Sequence, residues 1–590
     1  MQNEHGTMSN IGYALRLLRK CAPAYFAAEI VSGVLTGIWG SAAVIFTQVF
    51  YNSLFEEGVF SKTVRIVAVM ALLTVIYQLW QQWYGAVLKP RLRQLLSYRV
   101  NLIMFEKNAE LDVGCYNDPE FYNDFVWAMG ECDSQLTGLV DSISATFQHI
   151  IAFVISSGVM ASVSPILSAV AVLASVAHIA LQKLWIKSDL KRRLALNPLT
   201  RKNAYYESLF NTPDYAKDIR TSHVSELITE KYFENQRQIK QTHTAFNMKL
   251  LKYSIPFNLL SGIMQPVVYG ILFYQIIVEK TLGMASLAVA FSAFWALRYR
   301  IQGIIDLVLR YGKHGVYIGR IRKYTEYRPT VRSGDTPAPA FQSVELKSVS
   351  FGYTADKTVL KNINMKIRRG EKVAIVGYNG AGKSSLINLL LRLYEPTCGE
   401  ILYNGQKIGE YSVRSLHSRM GVVLQDYRIF ALSLAENVLR DRYEADDEER
   451  VRYALKNACF DGKLQTLPNG IYSEMTKEFY QDGVNLSGGE SQKVAISRAF
   501  ASPFDIIIMD EPSAALDPMA EHELNENLRS FARDKTVIII SHRLSTTCET
   551  DRIYMFDDGE IVEEGSHAEL MKKDGKYAHV FRLQAEKYRR

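Results

Sequence analysis

Cysteine is sparse in this sequence and unpaired. The six residues, Cys21, Cys115, Cys132, Cys398, Cys459 and Cys548, are scattered, with no Cys-x-x-Cys among them. That spacing implies neither a disulfide framework nor a zinc site, and reduced thiols are the expectation. Met1–Lys20 lacks a short apolar core followed by a small-residue cleavage site, so no removable leader is expected. Concentrated basic charge is missing as well. Sixty-eight Lys and Arg stand against 61 Asp and Glu, a net charge of +7 over 590 residues. Nucleic-acid binding would want a stripe of charge, and no nucleic-acid partner is expected. The mild excess suits basic loops beside an anionic membrane leaflet.

What is present falls into two unlike halves, and the length alone calls for two to four domains. Residues 1–310 hold long apolar runs, whereas residues 340–590 are mixed like a soluble protein. Residues 9–20 place Ile11, Ala14, Leu15, Leu17 and Leu18 on one side and Arg16, Arg19 and Lys20 elsewhere, as an interfacial helix would. Runs long enough to span a bilayer lie at about 24–50, 64–86, 139–163, 165–186, 254–277 and 283–308. The connections at 87–138 and 187–253 are long and rich in Lys and Arg, including Lys89, Arg91, Arg93, Arg99, Lys187, Lys191, Arg192 and Arg193. The excess of positive charge on one side puts both termini and both long loops in the cytoplasm. Polar or aromatic residues interrupt some runs: Gln78, Trp80, Gln81, Gln82 and Trp83, then Gln265, then Arg298 and Arg300. They either line a substrate path or, near a span end, snorkel to the headgroups. Pro256 and Pro266 are expected to bend the fifth span.

Residues 326–342, with Pro329, Gly334, Pro337 and Pro339, read as a linker. Beyond it, Glu371–Val376 reads as a buried strand and Ser385–Leu393 as a helix, joined by Gly377-Tyr378-Asn379-Gly380-Ala381-Gly382-Lys383-Ser384. Strand, glycine-rich loop and helix are the context of the phosphate-binding pattern G-x-x-x-x-G-K-[ST]. The glycines let N–H groups close around phosphate oxygens, and the helix directs its positive end at the same anion. Lys383 adds a mobile charge, and Ser384 a hydroxyl for Mg²⁺. Downstream, the apolar run Asp505–Met509 ends in Asp510 and Glu511. Acids at the carboxyl edge of a parallel strand fit a metal-holding Asp510 and a Glu511 that accepts a proton from attacking water. Gln425 ends another strand, where its amide could reach the metal or the water, and His542 ends the run Thr536–Ser541. Leu486-Ser487-Gly488-Gly489-Glu490 opens a helix and forms a second anion-binding device. A generic ATPase with one phosphate loop has no need of it.

Taken as an ordered set, these residues resemble the nucleotide-binding domain of ATP-binding cassette transporters. The resemblance covers about 345–570. It implies that Tyr353 stacks on adenine and that Gly377, Asn379, Gly380, Gly382, Lys383, Ser384 and Ser385 hold the phosphates of ATP. Gln425 would be the Q-loop and Leu486–Glu490 the signature, with Ser487, Gly488 and Gly489 contacting nucleotide. Asp510 and Glu511 would end the Walker B strand, Ser513–Asp517 would be the D-loop, and His542 the switch histidine. Catalysis falls to Glu511, His542, Gln425 and Lys383, and Mg²⁺ to Ser384, Gln425 and Asp510. Six spans before one such domain are similar to an exporter-type half-transporter. The implied fold is a membrane α-helical bundle, with long cytoplasmic extensions, over residues 1–325. It is fused to an α/β P-loop NTPase domain over residues 343–590. Cys115–Tyr122 and Thr212–Arg220 resemble the two coupling regions of bacterial half-transporters.

Two positions depart from the family pattern: Glu490 stands where Gln is commoner, and Glu478–Asn485 differs from the usual ending. In the family, the signature of one chain faces the phosphate loop of another. The expected partners are therefore a second half-transporter chain, identical or different, together with membrane lipid and a transported substrate. With about 23 residues before the first span, no fused amino-terminal peptidase is expected. Peptide, lipid and drug-like cargo stay open, and an importer built on the exporter fold is the alternative. A soluble cassette ATPase would lack the six spans.

Overall fold

The computed structural model describes residues 6–57, 59–354, 356–512, 516–541 and 547–588. It divides into two compact units. One comprises Met1–Ala109 and Asn123–Tyr327, and the other Glu110–Tyr122 and Arg328–Arg590. The thirteen residues Glu110–Tyr122, which the sequence places in a long loop between spans, thus belong to the carboxyl-terminal unit.

The first unit is helical throughout. Its long elements are α1 (Thr7–Cys21), α2 (Pro23–Asn52), α3 (Phe60–Trp83), α4 (Lys89–Ala109), α5 (Pro119–Val163) and α6 (Pro165–Asn211), then the short α7 (Ala216–Thr221), α8 (Val224–Ile277) and α9 (Met284–Glu326). Prolines at the first turns of α2 and α6 begin helices without losing a hydrogen bond. Ser164 caps α6 by accepting from Leu167 N at 3.4 Å. α8 runs unbroken through Pro256 and Pro266. The six apolar runs all fall on helices of this unit. Among the described residues four helices are long and apolar enough to cross a membrane: Pro23–Phe55, Phe60–Ala109, Asp124–Val163 and Val224–Ile277. The fourth run has a described apolar stretch of Pro165–Ala174 only, and the sixth is diluted by Arg298 and Arg300.

Val44, Met160, Leu167, Val268, Leu272, Phe294 and Leu297 form a buried apolar cluster in this unit, whereas small and polar residues make the contacts along the seam of α2. The buried positions of α2 are Tyr25, Glu29, Ser32, Gly33, Gly37, Ser41 and Val44, mostly one helical turn apart. A Cβ on Gly33 would lie 2.2 Å from the carbonyl oxygen of Ser144 on α5, and one on Gly37 would lie 2.9 Å from that of Gln148. The bare backbone is what lets α2 and α5 approach, as in small-residue seams of membrane helices. Ser144 Oγ donates to Glu29 O at 2.7 Å across the same seam. Gln81 Nε2 of α3 donates to Thr36 Oγ1 of α2 at 2.9 Å and to Tyr77 OH at 2.8 Å. Lys89 of α4 pairs with Glu29 at 2.9 Å and Asp141 at 2.8 Å. All six cysteines are free thiols.

The second unit is built on two sheets. Its strands are β1 (Ser343–Phe351), β2 (Leu360–Arg368), β3 (Lys372–Gly377), β4 (Cys398–Tyr403), β5 (Gln406–Lys407), β6 (Met420–Val423), β7 (Ile506–Asp510), β8 (Thr536–Ile540), β9 (Arg552–Asp557) and β10 (Glu560–Gly565). A four-stranded antiparallel sheet runs β2-β1-β4-β5, and a six-stranded sheet runs β10-β9-β3-β8-β7-β6. In the larger sheet β9, β3, β8, β7 and β6 are parallel, so their carboxyl ends share one edge. Strand β7 is buried at every position. Ile506 and Ile508 pack into a core shared with β1–β4, while Ile507 and Met509 pack into a second core with the helices on the other face. Filling both faces fixes the register of β7 and hence the place of the two acids at its end.

Candidate active site

The phosphate loop follows β3 at the shared edge of the parallel strands and opens α10 (Lys383–Leu390). Three of its glycines have positive φ: Gly377 at 152°, Gly380 at 82° and Gly382 at 96°. A side chain is strained at these angles. At Gly377 a Cβ would also meet the Phe556 carbonyl oxygen at 2.3 Å. Lys383 lies folded under the loop, 7% exposed. Its Nζ donates to Gly377 O at 2.8 Å and Tyr378 O at 2.9 Å. Burial pulls its pKa below the usual lysine value, while Glu511 and Asp510 oppose the shift.

Asp510 is buried, and Ser384 Oγ donates to its Oδ2 at 3.3 Å. Burial raises the carboxyl pKa above its ordinary value; the Ser384 hydrogen bond works against this, and adjacent Glu511 adds to it. Glu511 takes φ of 52°, unusual for a side chain of its size. Its N–H donates to Ile540 O at 3.0 Å, and Gln492 Nε2 donates to its carbonyl oxygen at 3.3 Å. Those two bonds hold a backbone conformation that costs on the order of 1–3 kcal/mol and turn the carboxylate toward Gln425, whose Nε2 donates to Glu511 Oε2 at 3.2 Å. Lys383, Ser384, Asp510, Glu511 and Gln425 therefore converge on one edge, although they are far apart in sequence.

Tyr353 adjoins this site. Its hydroxyl is 3.0 Å from Ser385 Oγ and accepts from Asn388 Nδ2 at 3.3 Å, both on α10. Its ring is edge-on to Phe351 and Tyr394, with centroids 4.9 and 5.2 Å apart. Tyr394 in turn meets the segment Glu110–Tyr122. Asn117 Nδ2 donates to its hydroxyl at 3.2 Å, and a Cβ on Gly114 would lie 3.0 Å from its ring. The same segment is tied to the linker. The buried Asp112 carboxylate accepts from Thr330 N and Thr330 Oγ1, both at 2.6 Å, and from Val331 N at 3.1 Å.

Ser487 caps α11 (Gly488–Phe500). Its Oγ accepts from Glu490 N at 3.3 Å and Glu490 Oε2 accepts from Ser487 N at 2.8 Å, a reciprocal capping box. The first-turn N–H groups of Gly488 and Gly489 are donors that intrahelical bonding cannot satisfy. Glu490 also pairs with Lys463 at 3.1 Å. Burial would raise the Glu490 pKa, yet the Ser487 N–H and Lys463 hold it below the usual carboxylate value. Asp517 caps α12 (Pro518–Phe531), accepting from Ala520 N at 2.9 Å and Met519 N at 3.1 Å. His542 and residues 513–515 of the D-loop lie outside the described residues.

Asp112, Tyr394, Gln492 and Lys463 support this region and were invisible in the sequence. Each acts through a partner distant in the chain, and none sits in a recognisable motif.

The ABC transporter family profile matches residues 360–514. A relative in Staphylococcus aureus strain NCTC 8325, provisionally named a multidrug export ATP-binding/permease protein, is 40% identical over 242 residues. YgaD of Bacillus subtilis strain 168, with the same provisional name, is 38% identical over 242 residues. Each alignment covers 41% of this chain and 41% of the relative, so the chain spans less than half the length of the curated relatives it matches. A solved structure titled a bacterial Atm1-family ABC exporter with ATP bound superposes with a TM-score of 0.78. It is 23% identical, and the match covers 94% of this chain and 98% of that one, a likeness of fold. Residues 360–514 are thus an ABC transporter domain, which binds nucleotide, and the chain that carries them is a membrane protein with the fold of a bacterial ABC half-transporter.

Proposed function

We propose that this chain is one half of an ATP-driven exporter that couples ATP hydrolysis to the movement of a substrate across a cell membrane. The observation that carries the reading is the convergence of Lys383, the Ser384–Asp510 pair and the Gln425–Glu511 pair on one sheet edge, in a chain whose other unit is a bundle of membrane-length helices. The loop N–H groups and Lys383 bind the β- and γ-phosphates, and Tyr353 stacks on adenine. Lys383 spends two of its three N–H donors on its own loop, leaving the third for a phosphate oxygen. Glu511, oriented by Gln425 on one side and Gln492 on the other, accepts a proton from the water that attacks the γ-phosphorus.

Ser384, Asp510 and Gln425 fit Mg²⁺. They supply only oxygen donors, as a hard cation needs, and a buried carboxylate whose charge is uncompensated enough to raise its pKa. Bound there, Mg²⁺ would offset the charge that develops on the phosphates. His542 would contact the γ-phosphate. One chain holds one phosphate loop and one signature, so the first turn of α11, with Ser487, Gly488 and Gly489, completes the site of a second half-transporter. Asp517 lies at the junction. Both termini and the cassette face the cytoplasm, in keeping with the basic connections.

Glu511→Gln should lower ATP turnover about 10²–10⁴-fold while ATP binding persists. An unchanged rate in the purified full chain, measured by phosphate release, would remove Glu511 from the role of base. Export predicts ATP-dependent accumulation of substrate inside inside-out vesicles; accumulation only in right-side-out vesicles would make the protein an importer.

A further inference from the structure

The proposed ATPase machinery leaves one buried charge unexplained. Arg300 lies in the apolar run 283–308 of α9, eight residues from its end and so roughly 12 Å along the helix from it. An arginine near a span end ordinarily runs its chain along apolar surface and leaves its head exposed. Arg300 is 8% exposed. Its guanidinium lies against α2, where a Cβ on Gly40 would be 2.5 Å from Nη2. Nε is buried without a hydrogen-bond partner, and the side chain has no carboxylate partner among the described residues. Among the described residues, the face of Tyr299, 5.4 Å away, is what compensates it.

His149 of α5 stands beside it. The ring centroid is 5.9 Å from that of Tyr299, and the ring rests on Gly303, where a Cβ would be 2.2 Å from His149 Cε1. His149 Nδ1 is likewise buried without a partner. Two glycines, Gly40 and Gly303, thus leave room for two side chains whose buried Arg300 Nε and His149 Nδ1 have no hydrogen-bond partner among the described residues. Arg298, two residues away, points to a different groove with α6 and α8 and is not part of this arrangement.

A buried guanidinium without a counter-charge is disfavoured far more than a paired one, and an ionisable group inside a membrane bundle marks a substrate path more often than a structural contact. We propose that Arg300, with His149, receives the anionic group of the transported molecule, an organic anion bearing a carboxylate or phosphate. This rests on the transport reading above. Separation of α2, α5 and α9 during alternating access would uncover the guanidinium, and an unpaired positive charge there repels cationic drugs.

The test uses the full chain in lipid nanodiscs and two dyes that share a xanthene core: carboxyfluorescein, an anion, and rhodamine 123, a cation. Fluorescence anisotropy should show the anion binding about tenfold or more tighter, a difference of about 1.4 kcal/mol. Arg300→Gln should erase the preference, and Arg300→Lys, which keeps the charge, should retain most of it and serve as the folded control. Equal affinities in the natural protein, or a preference that survives Arg300→Gln, would overturn the assignment. So would a change from dimer to monomer in Arg300→Gln with the anion preference intact, because the charge would then pair with the second chain. ATP-driven dye uptake into vesicles is scored separately. Anion binding without uptake would sink the transport reading and leave the site standing.

Discussion

The seam between α2 and α5 and the strand β7 solve opposite problems. In β7 the buried side chains are large and apolar, Ile506 to Met509, and they fill the space between two cores. On α2 the buried positions between Tyr25 and Val44 are glycine, serine and one glutamate, and the large apolar residues Val31, Leu35, Ile38 and Ile45 are exposed. Against water, burying hydrocarbon is the driving force. Against lipid there is little to gain by it, and close backbone approach with hydrogen bonds across the seam takes its place. The seam of α2 with α5 thus inverts the rule that β7 follows, although the first unit also holds a buried apolar cluster, and the sign of the inversion is itself an argument for a lipid surround.

The same truncation made in each unit probes that inversion most strongly. Ile508→Ala should destabilise the second unit by about 2–5 kcal/mol, since Ile508 is 1% exposed. Leu79→Ala in α3 should change stability by less than about 0.5 kcal/mol, since Leu79 is 65% exposed. Thermal unfolding in nanodiscs checks both, and comparable losses would break the comparison. The converse change is smaller. Gly33→Ala sets a methyl 2.2 Å from Ser144 O and should cost about 1–3 kcal/mol. Gly85→Ala, with nothing within 4 Å of its Cβ, is the control. A smaller effect than at Gly33 is expected at the surface of the second unit. Glu490→Gln keeps the reciprocal cap on α11 but loses the partly exposed pair with Lys463, for less than about 1 kcal/mol. ATP turnover should stay within about threefold; a larger fall would mean that the carboxylate does more than cap the helix.

How much of this could be read in the sequence depends on how local the physics is. The glycine-rich loop was legible because its backbone angles demand glycine at fixed offsets, and the long helices of the first unit were legible from their apolar runs, four of them long and apolar enough to cross a membrane among the described residues. Asp510 and Glu511 were legible from the apolar strand that precedes them. The Asp112 clamp was not, because its partners Thr330 and Val331 are more than two hundred residues away. The sequence left Arg298 and Arg300 divided between a path and a snorkel. Hydropathy reports depth but not the side of a helix, and only the packing against Gly40 shows that Arg300 is covered. Gln81 is resolved in the other direction, as a hydrogen-bonded link between α2 and α3.

The placement of Glu110–Tyr122 bears on how this chain can be taken apart. A cut after Tyr327 would release residues 328–590, with the ABC transporter domain, and yet with an incomplete surface. Asn117, Gly114 and Asp112 would be gone from Tyr394 and from the linker. The piece left behind would carry those thirteen residues without Tyr394, Thr330 and Val331. The nucleotide-binding module is therefore discontinuous in the gene, and a faithful fragment would have to carry the short insert from the first half grafted back onto the second.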